Sequence, residues 1–347
     1  MADKNSGVMI AKALPTSAEK HLAVLDGWRG ISILLVLATH LLPLGPKSWQ
    51  LNATFGPMGM ALFFTLSGFL ITRFLLQNTS ITDFLIRRFF RIIPLAWLAM
   101  GLALTLGHAP SSYFLPNFLF YANLPPQHLS EAASHLWSLC VEMQFYVGIA
   151  MLVGVAGRRG LYLILPLCIA VTAHRIAESA LVDIVTWRRV DEILAGAMLC
   201  MAFEGKLGPA AKRLIGGLNA YLMIVLLAVC SHPAAGFMNY ARPYAAAALV
   251  GVTLFNPPLA LTRLLRTRTL AYIATISYAL YVIHHLLVFT WLGDGSKTAV
   301  YLKRPLLFAV TFGLAHLSSF HFERWWMAVG RRLTVFLQRR REPKAAA

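Results

Sequence analysis

The chain has 347 residues, of which 58% are hydrophobic and 13% charged, and it carries a formal net charge of +17. Soluble chains run near half apolar and about a quarter charged, so this balance excludes a soluble globular protein, and its hydrophobicity excludes a disordered one. What remains is a polytopic membrane protein, an all-α helix bundle, within which the excess of positive charge must be explained.

The first 21 residues are polar and basic, too long a lead for a secretory signal, and read as a cytoplasmic N-terminal tail. A spanning helix needs roughly 20 mostly apolar residues. About ten stretches approach that: 23–44, 57–76, 92–107, 136–155, 160–175, 190–203, 218–231, 241–255, 271–292 and 305–322. The aromatic, proline-rich piece 108–135 reads as an interfacial or re-entrant segment. Residues 22–325 form the transmembrane domain in this reading, and 326–347 a basic cytoplasmic C-terminal tail that fits an amphipathic juxtamembrane helix. With the N-terminus inside, about three quarters of the Lys and Arg fall in inner segments, which puts both termini in the cytoplasm and makes the number of spans even. Basic loops beside anionic lipid account for much of the net charge without nucleic acid. The four Cys show no C-x-x-C spacing and give no zinc site.

Ionisable residues inside spans are costly unless partnered, so they mark function first. In the first span Arg29 and His40 are eleven positions apart, roughly 1100° of rotation and about 20° from three full turns, so they share a face about 16 Å apart along the axis. Pro43 should end or kink that helix just past His40. Between the second and third spans, Arg88 and Arg91 point the same way on a helix and can grip one anion with two guanidinium forks. Pro94 favours a helix start there, whose free N–H groups would add to the anion site. A cytosolic phosphate-bearing ligand fits it, although topology alone also explains the charge.

His135, Ser138, Glu142 and Tyr146 form one stripe at i, i+3, i+7 and i+11. In the ninth span Ser277, Tyr281 and His284 fall at i, i+4 and i+7, with Tyr278 and His285 beside them; such residues also glue membrane helices together. No H-E-x-x-H, Walker loop or G-x-S-x-G occurs.

Five segments in order carry a resemblance: a basic residue and ten positions before a His (Arg29 to His40), F-F-T-L-S-G-F-L-I (Phe63 to Ile71), R-x-x-R then I-x-P (Arg88 to Pro94), W-S-L-x-V-E-x-x-F-Y (Trp137 to Tyr146) and S-Y-x-x-Y-x-x-H (Ser277 to His284). Together they resemble the acyltransferase-3 family of integral-membrane acyltransferases, which modify hydroxyls on bacterial glycans and some metabolites. The resemblance implies a ten-helix domain in the bacterial inner membrane with acyl-CoA, acetyl-CoA above all, as cytosolic donor and a hydroxyl-bearing acceptor such as a saccharide. It implies no metal and no nucleic-acid partner. Carried over by position, Arg29 and His40 are the paired first-helix residues essential for activity, Arg88 and Arg91 are associated with the donor, and Glu142 is the acid of the third motif. Tyr146, Ser277, Tyr281 and His284 are expected on the substrate side. Met143 stands where many members have a second acid, and His285 where another residue is common. The chain is similar to stand-alone members that lack an appended hydrolase-like domain.

In the mechanism this suggests, Arg88 and Arg91 hold the CoA phosphates, Arg29 binds donor phosphate or stabilises charge along the path, His40 is the general base, and Glu142 either orients His40 or holds the acceptor. A transporter or flippase using the intramembrane His and Glu residues as a proton relay is the alternative.

Overall fold

The computed structural model describes residues 17–77, 80–256 and 258–341. The expected N-terminal tail lies outside them up to position 16, and so do the last six residues. The helices in chain order are α1 (Ser17–Leu41), α2 (Leu51–Gln77), α3 (Ile81–Leu106), α4 (Phe114–Phe118), α5 (Trp137–Ala156), α6 (Ile164–Ala177) and α7 (Asp191–Phe203). There follow α8 (Gly208–Gly216), α9 (Ala220–Ser231), α10 (Arg242–Phe255), α11 (Leu259–Leu265), α12 (Arg268–Val288), α13 (Lys297–Leu317) and α14 (Arg324–Arg341). Among the described residues there is no strand.

Each of the ten apolar stretches falls on a helix. Among the described residues, six helical segments are long and apolar enough to cross a membrane, or eight if two bent pairs, α7 with α8 and α10 with α11, each count as one span. The difference from ten lies in short and interrupted elements. The α9 helix has only 12 residues. The 44-residue segment Ser134–Ala177 holds both α5 and α6; straight, it would be about 66 Å long, twice a bilayer core. Gly157, at φ +61°, breaks it between the two.

In lipid, helices associate through close packing and buried polar contacts rather than the hydrophobic effect. The α2 helix packs between α1 and α7, and α1 lies in turn against α12. Glycines set the α2–α7 distance: a Cβ on Gly68 would stand 1.9 Å from the Ile193 carbonyl oxygen, and one on Gly196 2.0 Å from that of Thr65. A second device is ionic. Arg175 of α6 meets Asp191 of α7 at 2.5 Å, and Arg242 of α10 meets Glu192 at 2.7 Å, all four side chains fully buried. Arg189 reaches Glu192 at 3.4 Å and lies over the Trp137 ring. Segment 108–135 folds as a compact cap: Asn117 donates to the His128 carbonyl, Trp97 to that of Phe118, and Asn123 to that of Ile184.

The α14 helix follows a π-helical turn at Ser318–Glu323 and returns along α3. Gln338 donates to Asp83 at 2.5 Å, and Gly330 lies against the Phe90 side chain.

Candidate active site

Five motifs meet in two polar centres joined by α1. At the first, a cleft with about 480 Å³ of empty space is lined by Arg29 of α1, Ser67 of α2, Arg88 and Arg91 of α3, Glu142 and Tyr146 of α5, and Ser277 of α12. The i, i+3 spacing turns both arginines of α3 inward as expected, and the α5 stripe turns Glu142 and Tyr146 to meet them. Ser67 and the Tyr146 hydroxyl both donate to one Glu142 oxygen, a carboxylate thereby satisfied by neutral donors within an arginine-rich wall. Arg88 also lies over the Tyr146 ring, 5.5 Å from its centroid. A shallower pocket of about 700 Å³ adjoins the cleft and shares Arg88 and Arg91 with it. It adds Arg87, Arg331 of α14 and the rings of Phe74, Phe84 and Phe90. Four guanidinium groups beside flat apolar rings suit an anionic ligand that also carries a planar base.

The second centre lies where α1 and α12 end. The α1 helix stops at Leu41, two residues before Pro43, so His40 occupies its last turn and is exposed. Its Nδ1 is 3.0 Å from Nε2 of the fully buried His284. His285 comes within 5.3 Å of His40, centroid to centroid, and His135 within 4.7 Å of His285. The ring of Phe63, which lines the arginine cleft, stacks on Tyr281, and Tyr281 packs against His135 and His284. Phe63 and Tyr281 are therefore the wall shared by the two centres. Ser138 and the Tyr281 hydroxyl are 2.6 Å apart, and that hydroxyl donates to the His135 carbonyl.

Three expectations change. No helix starts at Pro94: α3 begins at Ile81, with the Ser80 hydroxyl accepting from the Asp83 N–H, and runs through the proline. Proline is tolerated inside a membrane helix where packed neighbours compensate the freed backbone groups, so the arginines bring side-chain charge to the cleft without free helix-terminal N–H groups. Glu142 is engaged with Ser67 and Tyr146, and the ring partner of His40 is His284. His284 has both ring nitrogens in hydrogen bonds, Nε2 with His40 and Nδ1 with the Tyr281 carbonyl. Ser67, Phe63, Arg87, Arg331 and the grouping of His135 with His285 were not singled out by spacing. Ser67 was within reach, being the hydroxyl inside the second motif. Among the described residues, no group of three or more His, Cys, Asp or Glu is arranged to hold a metal ion.

The family model for this acyltransferase domain matches residues 22–324. The chain belongs to the acyltransferase-3 family. It is similar to the peptidoglycan O-acetyltransferase OatA of Listeria monocytogenes, with 30% identity over 154 residues, 38% of this chain and 24% of that one. Against the "Putative peptidoglycan O-acetyltransferase YrhL" of Bacillus subtilis, identity is 26% over 322 residues, 78% of this chain and 49% of the relative. This acyltransferase-3 chain thus spans about half the length, or less, of these curated relatives. No solved structure gives a significant match.

Proposed function

We propose that the chain is a multi-pass membrane O-acyltransferase of a bacterial inner membrane, moving an acyl group, acetyl by preference, from cytosolic acyl-CoA to a hydroxyl of a glycan, a lipid-linked saccharide or a related metabolite. The observation that carries this reading is the convergence of all five motifs on one arginine-lined cleft, with His40 on the same helix as Arg29. The names of the relatives support O-acetyl transfer to a saccharide hydroxyl. Both termini are cytoplasmic in this reading, which turns the arginines to the cytosol and His40 to the far side.

The donor's phosphates and base occupy the shallow pocket against Arg87, Arg88, Arg91 and Arg331, and the thin pantetheine arm runs through the cleft past Arg29 toward Phe63 and Tyr281. His40 takes the proton from the acceptor hydroxyl while that oxygen attacks the thioester carbonyl. The new C–O bond replaces the C–S bond, and the proton leaves with the CoA thiolate. Glu142 balances charge in the cleft and holds Tyr146.

The test uses purified protein in detergent with labelled acetyl-CoA and a soluble acceptor. Label should pass to the acceptor without a membrane gradient. The His40→Ala variant should lose transfer at unchanged protein level and membrane insertion. Arg88→Ala with Arg91→Ala should weaken acetyl-CoA binding at least tenfold, the effect of losing about 1.4 kcal/mol or more. Donor left unconsumed by the wild type would favour the transporter reading, and unchanged donor affinity in the double variant would sink the arginine clamp.

A further inference from the structure

The histidine cluster has a proton arrangement that its backbone partners dictate. His284 Nδ1 is 2.7 Å from the Tyr281 carbonyl oxygen and 3.1 Å from that of Leu280. A carbonyl oxygen only accepts, so Nδ1 carries the hydrogen, and in a neutral imidazole the lone pair is then on Nε2. That Nε2 lies 3.0 Å from His40 Nδ1, which must therefore be the donor. The lone pair of His40 is left on Nε2. The alternative is a doubly protonated His284, a cation buried at 0% exposure. The titratable groups facing His40 and His284 are the imidazoles of His135 before α5 and His285 on α12 and the neutral phenol of Tyr281, whose hydroxyl donates to the His135 carbonyl. A buried cation among imidazoles has no counter-charge. Backbone carbonyls hold these rings too: His135 Nε2–H donates to Val282 and His285 Nδ1–H to Ala132.

We propose that His284 is a positioning residue which fixes His40 in the Nδ1–H tautomer, making Nε2 the basic nitrogen presented to the acceptor hydroxyl. The inference rests on the reading of His40 as general base. The chain of donors runs from His40 through His284 to the Tyr281 carbonyl. When His40 Nε2 takes the hydroxyl proton, the ring becomes an imidazolium whose Nδ1–H bond to His284 turns charge-assisted and shorter. His284 gains and loses no proton. The positive charge stays on His40 until the proton passes to the departing thiolate.

The direct test is nitrogen-15 NMR of the full chain, labelled at histidine and held in lipid nanodiscs, with the His40 signals assigned by their loss in His40→Ala. The expected spectrum has His40 protonated at Nδ1 and bare at Nε2. A proton on His40 Nε2 instead would overturn the proposal. Kinetics supply a second measurement. His284→Leu removes the acceptor and should lower kcat roughly 100-fold, the scale of a misplaced general base, with KM for acetyl-CoA unchanged. His284→Gln, whose amide oxygen can still accept from His40, should recover most of that loss. Equal losses in the two folded variants would refute positioning through the hydrogen bond. Full transfer activity in His40→Ala would instead sink the base reading beneath it, a failure that the tautomer spectrum keeps distinct.

Discussion

Glu142 is a buried acid held by neutral donors inside a positive cleft. Its carboxylate takes hydrogen bonds from Ser67 and Tyr146, while Arg29, Arg88 and Arg91 line the same cleft. A hydrogen bond to a charged group contributes about 1.5–3 kcal/mol. Tyr146→Phe should therefore lower unfolding stability by that amount in a denaturation series in detergent. Glu142→Gln keeps an oxygen for both donors but removes the negative charge from a positive cleft. Its stability should also fall, because both hydrogen bonds lose their charge assistance, while the Kd for acetyl-CoA falls too, measurable by calorimetric titration; weaker binding would place Glu142 in donor recognition instead. At this scale much was readable in the sequence. The three-residue spacing of Arg88 and Arg91 and the stripe of Ser138, Glu142 and Tyr146 predict shared faces, and helical geometry delivers them. Which faces meet was not readable, because Ser67 is 75 positions from Glu142 and His284 is 244 from His40.

Among whole helices, the ion pairs of α6, α7 and α10 do what apolar surfaces cannot do in lipid, namely select one partner. Arg175, Asp191, Glu192 and Arg242 are each fully buried, so removing one leaves a charge with no compensation. Asp191→Asn should cost about 3–5 kcal/mol, read as a lower melting temperature in detergent. The double variant Arg175→Met with Asp191→Leu should recover most of it, since no charge is left orphaned. A single variant as stable as the parent would mean that solvent reaches the pair. The positions of the apolar stretches were legible because a 3.6-residue helix in lipid must be apolar over most of its length. The broken ones were not, since Gly157 and the bends after α7 and α10 depend on backbone angles that composition does not reveal. The network was equally hidden: the sequence shows a charge pair opening α7 but not the arginines sixteen and fifty positions away that neutralise it.

At the scale of the whole molecule the two centres form one line, from Arg331 and Arg87 through the cleft at Glu142, past the Phe63 and Tyr281 rings, to the histidines. Such a line carries a group between compartments only if its two ends open on opposite sides of the bilayer. In the proposed orientation, α8 and its flanks belong to the basic cytoplasmic segments, whereas the connection from α12 to α13 lies one span away from the basic stretch at Arg263–Arg268. Lys212 of α8 and Thr298 at the start of α13 are both exposed, and the four native cysteines are all buried, so a single introduced thiol can be read against little background. With a membrane-impermeant thiol reagent on intact cells, Thr298→Cys should label and Lys212→Cys should not. In inverted membrane vesicles the pattern should reverse. Labelling of both from one side would place the arginine cleft and the His40 cluster on the same face, and transfer across the membrane through this line would then be impossible.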